Sequence, residues 1–588
     1  MNLSWLKRLI IGALFLLCCI SLWAQTPKAT LQVEFVGVNA AIQSTLKDQL
    51  SLIKNQSFAL GSPVRLRMLA VNGRKEIKTV LQTQGYFHSK IHVDVQAKKA
   101  QHWQVTYRIS LGSPTVLQHV QVAITGPGKN VKHLARLLKH VPFKVGQRLN
   151  QAHYQAFKTK LQNRAIDMGF FDAHYRQHQI KVYVAQSTAS IDLVLATGER
   201  YHFGTLHFAQ RGYQFDTAFL KRMVFIKPGQ AYNGGRVRLL RNDLYGSDYF
   251  SDVDVVTQVN KQTRQVNVKI QTRAKKPGQY TIGVGYGTET GPRALLGWKW
   301  RHITHTGQYF VARTEFSKLY VNFGASYVIP GANPLSDYTS LNVGQNYTDI
   351  TPYQSLETLF GISWVKQLSN WNITLGIHQH FVRYTPQGVA RNTAKYLIPR
   401  VSVTYTHEQP DGYWHEGVEI STDIYGTEKM ALSDNSFLTG VSIIHWSLPL
   451  SRNNRVFSEW LAGATASTGP ITNLATTLRF YAGGVDNVRG YDYKSLSPRV
   501  NGNLIGGRYT YLARISFEQH LFQKFSALVF YNVGSAFNDV QHMVGDQGAG
   551  LGVAWRSPVG PLQLFFSRPV WHDNDRSWRV DFSIGSRF

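Results

Sequence analysis

From Gln279 onward the chain alternates between large apolar residues and small or polar ones. In Tyr280-Thr281-Ile282-Gly283-Val284-Gly285-Tyr286-Gly287 the large side chains hold the even positions and the small ones the odd. Successive side chains of a strand point to opposite faces, so this pattern predicts a strand with one apolar face. Similar alternation recurs at Tyr309–Phe316, Tyr320–Val328, Thr510–Phe517 and Leu562–Ser567. An apolar row facing lipid opposite a small or polar row facing a lumen is what a transmembrane β-barrel requires. The stretch 277–588, at about 20 residues per strand and loop, predicts 16 antiparallel strands, an even number that returns both ends of the barrel to one side. Near the end, Trp578, Val580, Phe582, Ile584 and Phe588 share one parity, with Arg579 and Asp581 on the other.

Before Gln279 the period is different and the pattern repeats. Gly61, Gly146 and Gly229 each sit in a short loop phrase, followed some 20–25 residues later by Gly85-Tyr86-Phe87, Gly169-Phe170-Phe171 and Asp248-Tyr249-Phe250. Helical spacing fills the interval, as in Tyr154, Phe157 and Leu161. Two alternating strands follow each triplet: Ile91–Val95 and Trp103–Tyr107 in the first unit, Val253–Val256 and Val266–Ile270 in the third. A further strand opens each unit, at Leu31–Gly37, Val120–Gly126 and Thr205–Gly212. The predicted order is βααββ, three times over, with glycine closing the second helix in a left-handed cap. The third copy departs, with Ser247-Asp248 where the glycine would stand. This α+β pattern resembles the POTRA (polypeptide-transport-associated) domain. The resemblance implies that extended clients bind by adding a strand to an exposed sheet edge; simple spacers are the alternative. The domains predicted are a signal peptide at 1–24, POTRA units at 25–111, 112–199 and 200–276, and an all-β barrel at 277–588.

Composition places this architecture in a compartment. Lys7 and Arg8 precede an apolar run from Leu9 to Ile20 that ends in Ser21-Leu22-Trp23-Ala24. A basic start, a short apolar run and a small final residue make a secretory signal, too short for the ~20 residues of a spanning helix. Both cysteines, Cys18 and Cys19, fall inside it, so a mature chain cut after Ala24 has no disulfide, zinc-thiolate or cysteine nucleophile. Residues 25–276 hold 37 Lys+Arg against 13 Asp+Glu, while residues 277–588 hold 25 against 21. This asymmetry sets a boundary near Lys275-Lys276-Pro277-Gly278. An export signal argues against nucleic acid as the partner of the basic half. Anionic lipid headgroups, lipopolysaccharide, an acidic protein, or a merely solvated surface stay open.

Inside the barrel region stands Phe480-Tyr481-Ala482-Gly483-Gly484, then Val485-Asp486-Asn487-Val488-Arg489-Gly490-Tyr491. The Val488-Arg489-Gly490-Tyr491 core resembles the loop motif of the POTRA-plus-barrel assembly and secretion superfamily. That family includes the BamA and TamA branches and the two-partner secretion transporters. The resemblance implies a loop folded into the lumen, whose arginine meets acidic groups on the barrel wall. Glu518, in Arg514-Ile515-Ser516-Phe517-Glu518, matches one wall position. Asn532, in Phe530-Tyr531-Asn532-Val533-Gly534, stands where the family has aspartate and brings no charge. Arg489 is therefore expected to rely on Glu518 more than it does in relatives, so that losing Glu518 should impair the barrel more than losing Asn532. Three arm units and a chain near 600 residues look most like the TamA branch, the outer-membrane subunit of the translocation and assembly module. That branch implies a TamB-like, inner-membrane-anchored, β-rich partner, unfolded outer-membrane clients such as autotransporters, and contact with outer-membrane lipid. The implied location is the outer membrane, with the N-terminal domains in the periplasm.

Closing such a barrel pairs its first and last strands. Gly283, Gly285 and Gly287 weaken the first, and Gly585 precedes the terminal Phe588 of the last, so the expected seam is weak enough to open sideways. Lumen packing against the loop is the alternative use of these glycines. No Gly-x-Ser-x-Gly elbow, phosphate-binding loop or His-Glu-x-x-His occurs, so no catalytic residue, cofactor or metal is expected and the chain is not read as an enzyme. His378 and His380 share a strand face without an evident third ligand. A general barrel assembler, a two-partner secretion transporter and, more remotely, a passive porin remain the rivals.

Overall fold

The computed structural model describes residues 30–99, 102–350, 352–411, 414–430, 432–543, 545–557, 560–571 and 577–584. The expected signal peptide and the seam positions Gly585 and Phe588 lie outside these described residues.

The N-terminal part builds three three-stranded sheets. The first repeat runs β1 (Thr30–Val36), α1 (Ala40–Gln49), α2 (Ser51–Lys54), α3 (Gln56–Leu60), α4 (Pro63–Thr83), β2 (Lys90–Lys99) and β3 (His102–Ser110). Its opening strand lies parallel to β3, which runs antiparallel to β2. The two short helices α2 and α3 are additions to the expected βααββ order. Leu50 takes an extended backbone that breaks the helical run while its side chain stays buried, and apolar spacing alone does not reveal such a break. Leu46 of α1 and Leu66, Ile77 and Leu81 of α4 share one buried core with Val105 and Tyr107 of the sheet.

The second repeat runs β4 (Val116–Thr125), α5 (Lys132–Leu138), α6 (Gln151–Asp167), β5 (His174–Tyr183) and β6 (Thr188–Ala196). The third runs β7 (His202–Arg211), α7 (Thr217–Arg222), α8 (Gly234–Gly246), β8 (Phe250–Asn260) and β9 (Gln265–Ala274). In all three the opening strand neighbours the last one, which leaves the opening and middle strands as sheet edges. Gly85 and Gly169 adopt φ of +87° and +93°, so the left-handed caps read from the sequence are present. Each also joins its repeat to the next. The Gly85 carbonyl accepts the N–H of Thr115 and that of Gly169 accepts the N–H of Tyr201, both at 2.8 Å. A Cβ at Gly85 would stand 2.4 Å from the Leu149 carbonyl oxygen, so the close passage requires glycine.

Beyond Gly278 the chain forms a closed barrel of sixteen antiparallel strands, each paired with its sequence neighbour. The first strand, Gly278–Gly287, pairs with Gly291–Trp300 at all ten of its positions. Tyr280, Ile282 and Val284 are 73–77% exposed and form part of the outward apolar face. No helix among the described residues is long and apolar enough to cross a membrane; strands provide the crossing. The first and last strands (Arg579–Ile584) meet through Tyr286↔Ile584 and Gly287↔Ser583 among the described residues.

Candidate functional site: a lumen loop across the seam

Between the strands Asn454–Ser467 and Tyr509–Phe522 the chain makes a long excursion through residues 468–508. Arg479 anchors its base. The guanidinium donates to the carbonyls of Thr472, Leu474 and Ile505 at 2.6–2.9 Å, drawing the two limbs together. Further along, Lys494 donates to the Tyr353 hydroxyl at 3.1 Å. Its ammonium lies 5.3–5.7 Å from the ring centres of Tyr353, Tyr481 and Tyr493.

The Val488-Arg489-Gly490-Tyr491 motif lies against the inner wall. Val488 and Tyr491 are buried with Leu512, and the Tyr491 hydroxyl donates to the Gln547 carbonyl at 3.2 Å. Gly490 has φ +100°, and a Cβ there would come within 2.8 Å of Arg568 backbone. On the wall, a Cβ at Gly548 would fall 1.8 Å from the Arg489 carbonyl oxygen. Both glycines are therefore required by one close contact between loop and wall. Asn532, fully buried beside Gly548, accepts the backbone N–H of Arg489 at 3.2 Å when its amide is oriented to satisfy both polar atoms.

Glu518, expected beside Arg489, has further partners of its own on the wall. Glu518 lies directly opposite Arg455 in the strand register, and its Oε2 accepts from Arg455 Nε and Nη2 at 2.9 and 2.7 Å. Its Oε1 accepts the Ser526 hydroxyl at 2.6 Å. Arg489 places its guanidinium 4.7 Å from the Phe530 ring centre and 4.4 Å from that of Phe565. It also interacts electrostatically with Asp581 of the last strand, which is nearly fully buried. A cavity of about 660 Å³ beside it is lined by Arg455, Glu459, Arg514 and Glu518 among others. Phe530, Phe565 and Asp581 were therefore missed as partners of Arg489, although the inward parity of Asp581 was a readable signal.

The same loop touches both sides of the seam. Glu289, on the turn between the first two strands, accepts the Val485 N–H at 3.0 Å. Asp492 pairs with Arg579 of the last strand at 2.7 Å. Beside these, Thr288 donates its N–H to the Phe582 carbonyl at 3.0 Å and accepts the Phe582 N–H on its hydroxyl at 2.7 Å. Burial, with help from Asp486 and Asp581, pushes the Glu289 carboxyl up to about 7 against the opposing Val485 N–H. Of the expected seam glycines, Gly285 has a close contact that calls for glycine, since a Cβ would sit 2.7 Å from the Ile584 carbonyl oxygen. Gly283 pairs with Leu295, and Gly287 pairs with both Gly291 and Ser583.

Two other sequence features find their places. His378 contacts Ser363 at 3.1 Å and His380 contacts Glu357 at 2.8 Å, so each is engaged by a wall neighbour. Asp248, the departure in the third repeat, bonds to Lys299 at 2.6 Å and Arg301 at 3.2 Å, with Lys275 at 3.8 Å. Although burial opposes ionisation, Lys299 and Arg301 hold its carboxyl below the usual range. Next to it, Tyr249 packs edge-on against Phe219 and Tyr309.

Sheet repeats of this topology, a closed sixteen-strand barrel and a lumen loop together define an outer-membrane β-barrel protein with periplasmic POTRA domains. Comparison with known proteins gives the families of its parts. The Omp85 superfamily domain matches residues 304–588. A POTRA family described as TamA domain 1 matches 32–111, and the surface antigen variable number repeat, a POTRA family, matches 203–274. Residues 304–588 thus carry an Omp85 superfamily domain, with POTRA domains ahead of it. The chain is 24% identical over 401 residues to the outer membrane protein assembly factor BamA of Nitratidesulfovibrio vulgaris, covering 63% of this chain and 49% of that one. It thus spans about half the length of that relative. BamA of Neisseria meningitidis serogroup B is 21% identical over 587 residues, covering 87% of this chain and 72% of the relative. The crystal structure of Haemophilus ducreyi BamA lacking POTRA domains 1–3 shares the fold, with TM-score 0.65 at 17% identity, covering 80% of this chain and 99% of that one.

Proposed function

We propose that the protein assists the assembly or export of other outer-membrane and surface proteins, without covalent chemistry, by opening its barrel seam to an incoming strand. The observation that carries this reading is the seam itself. At the seam Tyr286 and Gly287 pair with Ile584 and Ser583, and the first strand carries glycine at 283, 285 and 287, which leaves that face of it without side chains to pack. Once parted, such a glycine-rich edge offers its backbone groups to a client strand, and the edge strands of the POTRA sheets offer the same chemistry in the periplasm.

The three POTRA repeats and the match of the first to a TamA family support a TamA-like subunit acting with a TamB-like partner on clients such as autotransporters. The BamA relatives support a general assembler equally well. A disulfide between Gly287→Cys and Ser583→Cys, which stand opposite each other, tests the shared mechanism. The oxidised barrel is expected to lose client insertion in proteoliposomes and to regain it on reduction. Full activity while locked would refute lateral opening. Purification from solubilised envelope separates the two branches: a large inner-membrane-anchored β-rich protein marks the first, and lipoprotein subunits mark the second.

A further inference from the structure

Helix α4 of the first repeat has an outer face unlike that of α6, its counterpart in the second. Leu66, Ala70, Ile77 and Leu81 turn inward and are buried. On the opposite face Val64, Met68 and Val71 are 75%, 49% and 52% exposed, at spacings of four and three that set them in one row. Arg67, Arg74, Lys75 and Lys78 are exposed around that row. Arg65, also exposed, lies over the ring of Phe58, which adds a further exposed apolar side chain. The only acid in the helix, Glu76, is turned away and accepts the Ser51 N–H at 2.8 Å. By contrast, α6 exposes Gln151, His153, Gln155, Thr159, Lys160 and Asn163 and no large apolar residue. A solvated surface explains α6. It does not explain three large apolar side chains held in water on α4.

We propose that this face of α4 is a docking surface for an anionic phospholipid bilayer. Its apolar row enters the headgroup boundary and the surrounding cations meet lipid phosphates. Apolar side chains ringed by Lys and Arg, with no acid among them, are the pattern by which a helix lies on an anionic membrane surface. The face is a single convex helix with no groove, which suits a deformable lipid surface better than a shaped protein partner. The function is to hold the first repeat at a membrane, whatever client the barrel serves.

The test uses the full chain in zwitterionic nanodiscs, mixed with vesicles and separated by flotation. Vesicles with about one third phosphatidylglycerol should recruit the protein while pure phosphatidylcholine should not, and each cation removed in the series Arg67→Gln, Arg74→Gln, Lys75→Gln and Lys78→Gln should weaken recruitment about five-fold. The triple change Val64→Ser, Met68→Ser and Val71→Ser should abolish whatever binding persists at high salt, whereas Lys160→Gln with Arg164→Gln on α6 should change little. An environment-sensitive dye at Met68→Cys should shift to the blue on phosphatidylglycerol vesicles, and one at Thr159→Cys should not. Equal recruitment to both vesicles, unaltered binding by the α4 variants, or no recruitment would each overturn the proposal. The last outcome would make the face a protein-docking surface.

Discussion

Glu289 accepts the backbone N–H of Val485 at 3.0 Å, which ties the lumen loop to the hairpin that begins the barrel. Asp492 ties the same loop to Arg579 at the other side of the seam. The loop therefore works as a staple with two unequal ends. Asp492 is three-quarters exposed, and an ion pair so open to water contributes about 0–1 kcal/mol, whereas a partly buried N–H left without its acceptor costs toward the lower end of about 1–3 kcal/mol. Glu289→Ala should lower the temperature at which the barrel unfolds in heat-modifiability gels much more than Asp492→Asn. A ranking in the opposite order would show that the exposed end carries the load.

Because Glu289 titrates near 7 in the folded barrel and near the ordinary carboxyl value when unfolded, the native state holds more protons between those limits. Stability must then fall as pH rises through that window, the reverse of the usual carboxylate trend. Protection of the Val485 N–H from hydrogen exchange, corrected for the intrinsic pH dependence of exchange, is expected to be greater at pH 6 than at pH 8. Glu289→Gln, which keeps an acceptor without the charge, should flatten the profile. A slope that survives this substitution would assign the proton elsewhere.

Glu518 and Arg455 should behave as one unit. Removing either partner of a well-buried pair costs about 3–5 kcal/mol, and the quarter exposure of Arg455 brings the expected loss nearer 2 kcal/mol. In a double-mutant cycle Glu518→Gln and Arg455→Gln should be strongly non-additive, while Glu518→Gln and Arg489→Gln should add. Strong coupling in the second cycle would establish a direct pairing of Arg489 with Glu518.

Phe530→Leu and Phe565→Leu should each loosen the Arg489 contact, by about 0.5–2 kcal/mol for a cation over an aromatic face partly shielded from water. Accelerated hydrogen exchange at residues 485–491 would report it. Unchanged exchange in both variants would leave Asp581 as the contact that matters.

Asp248 gives a second pH test of opposite sign. Its depressed carboxyl contributes stability that is present above its unfolded value and lost as pH falls through the folded one. Asp248→Asn should speed hydrogen exchange of the Lys275 N–H, which is bonded to the Tyr249 carbonyl, at neutral pH, and the difference from the parent should shrink in acid.

The sequence and the fold agree where a local rule decides. Period-two alternation over Tyr280–Gly287 returned as the first barrel strand, and Gly85 and Gly169 returned as left-handed caps. Disagreement begins where register decides. Glu518 meets Arg455 because their two strands align those residues across a long excursion of chain, and nothing near either residue encodes that alignment. Asp248 was visible as an exception, but its reason lies in Lys299 and Arg301, some fifty residues further on. The break at Leu50 was illegible for another reason, since a buried leucine fits apolar spacing in either conformation. The capture of Val485 by Glu289 depends on a backbone N–H, which carries no side-chain signature.

Asn532 receives residue 489 through its main-chain N–H, a group that every amino acid except proline presents. The wall thus recognises where the loop is without reading which side chain it carries. Charge and placement are separate properties here: Arg489→Ala would strip the cation from between its two rings while leaving the loop in register. Only proline at that position would remove the address itself.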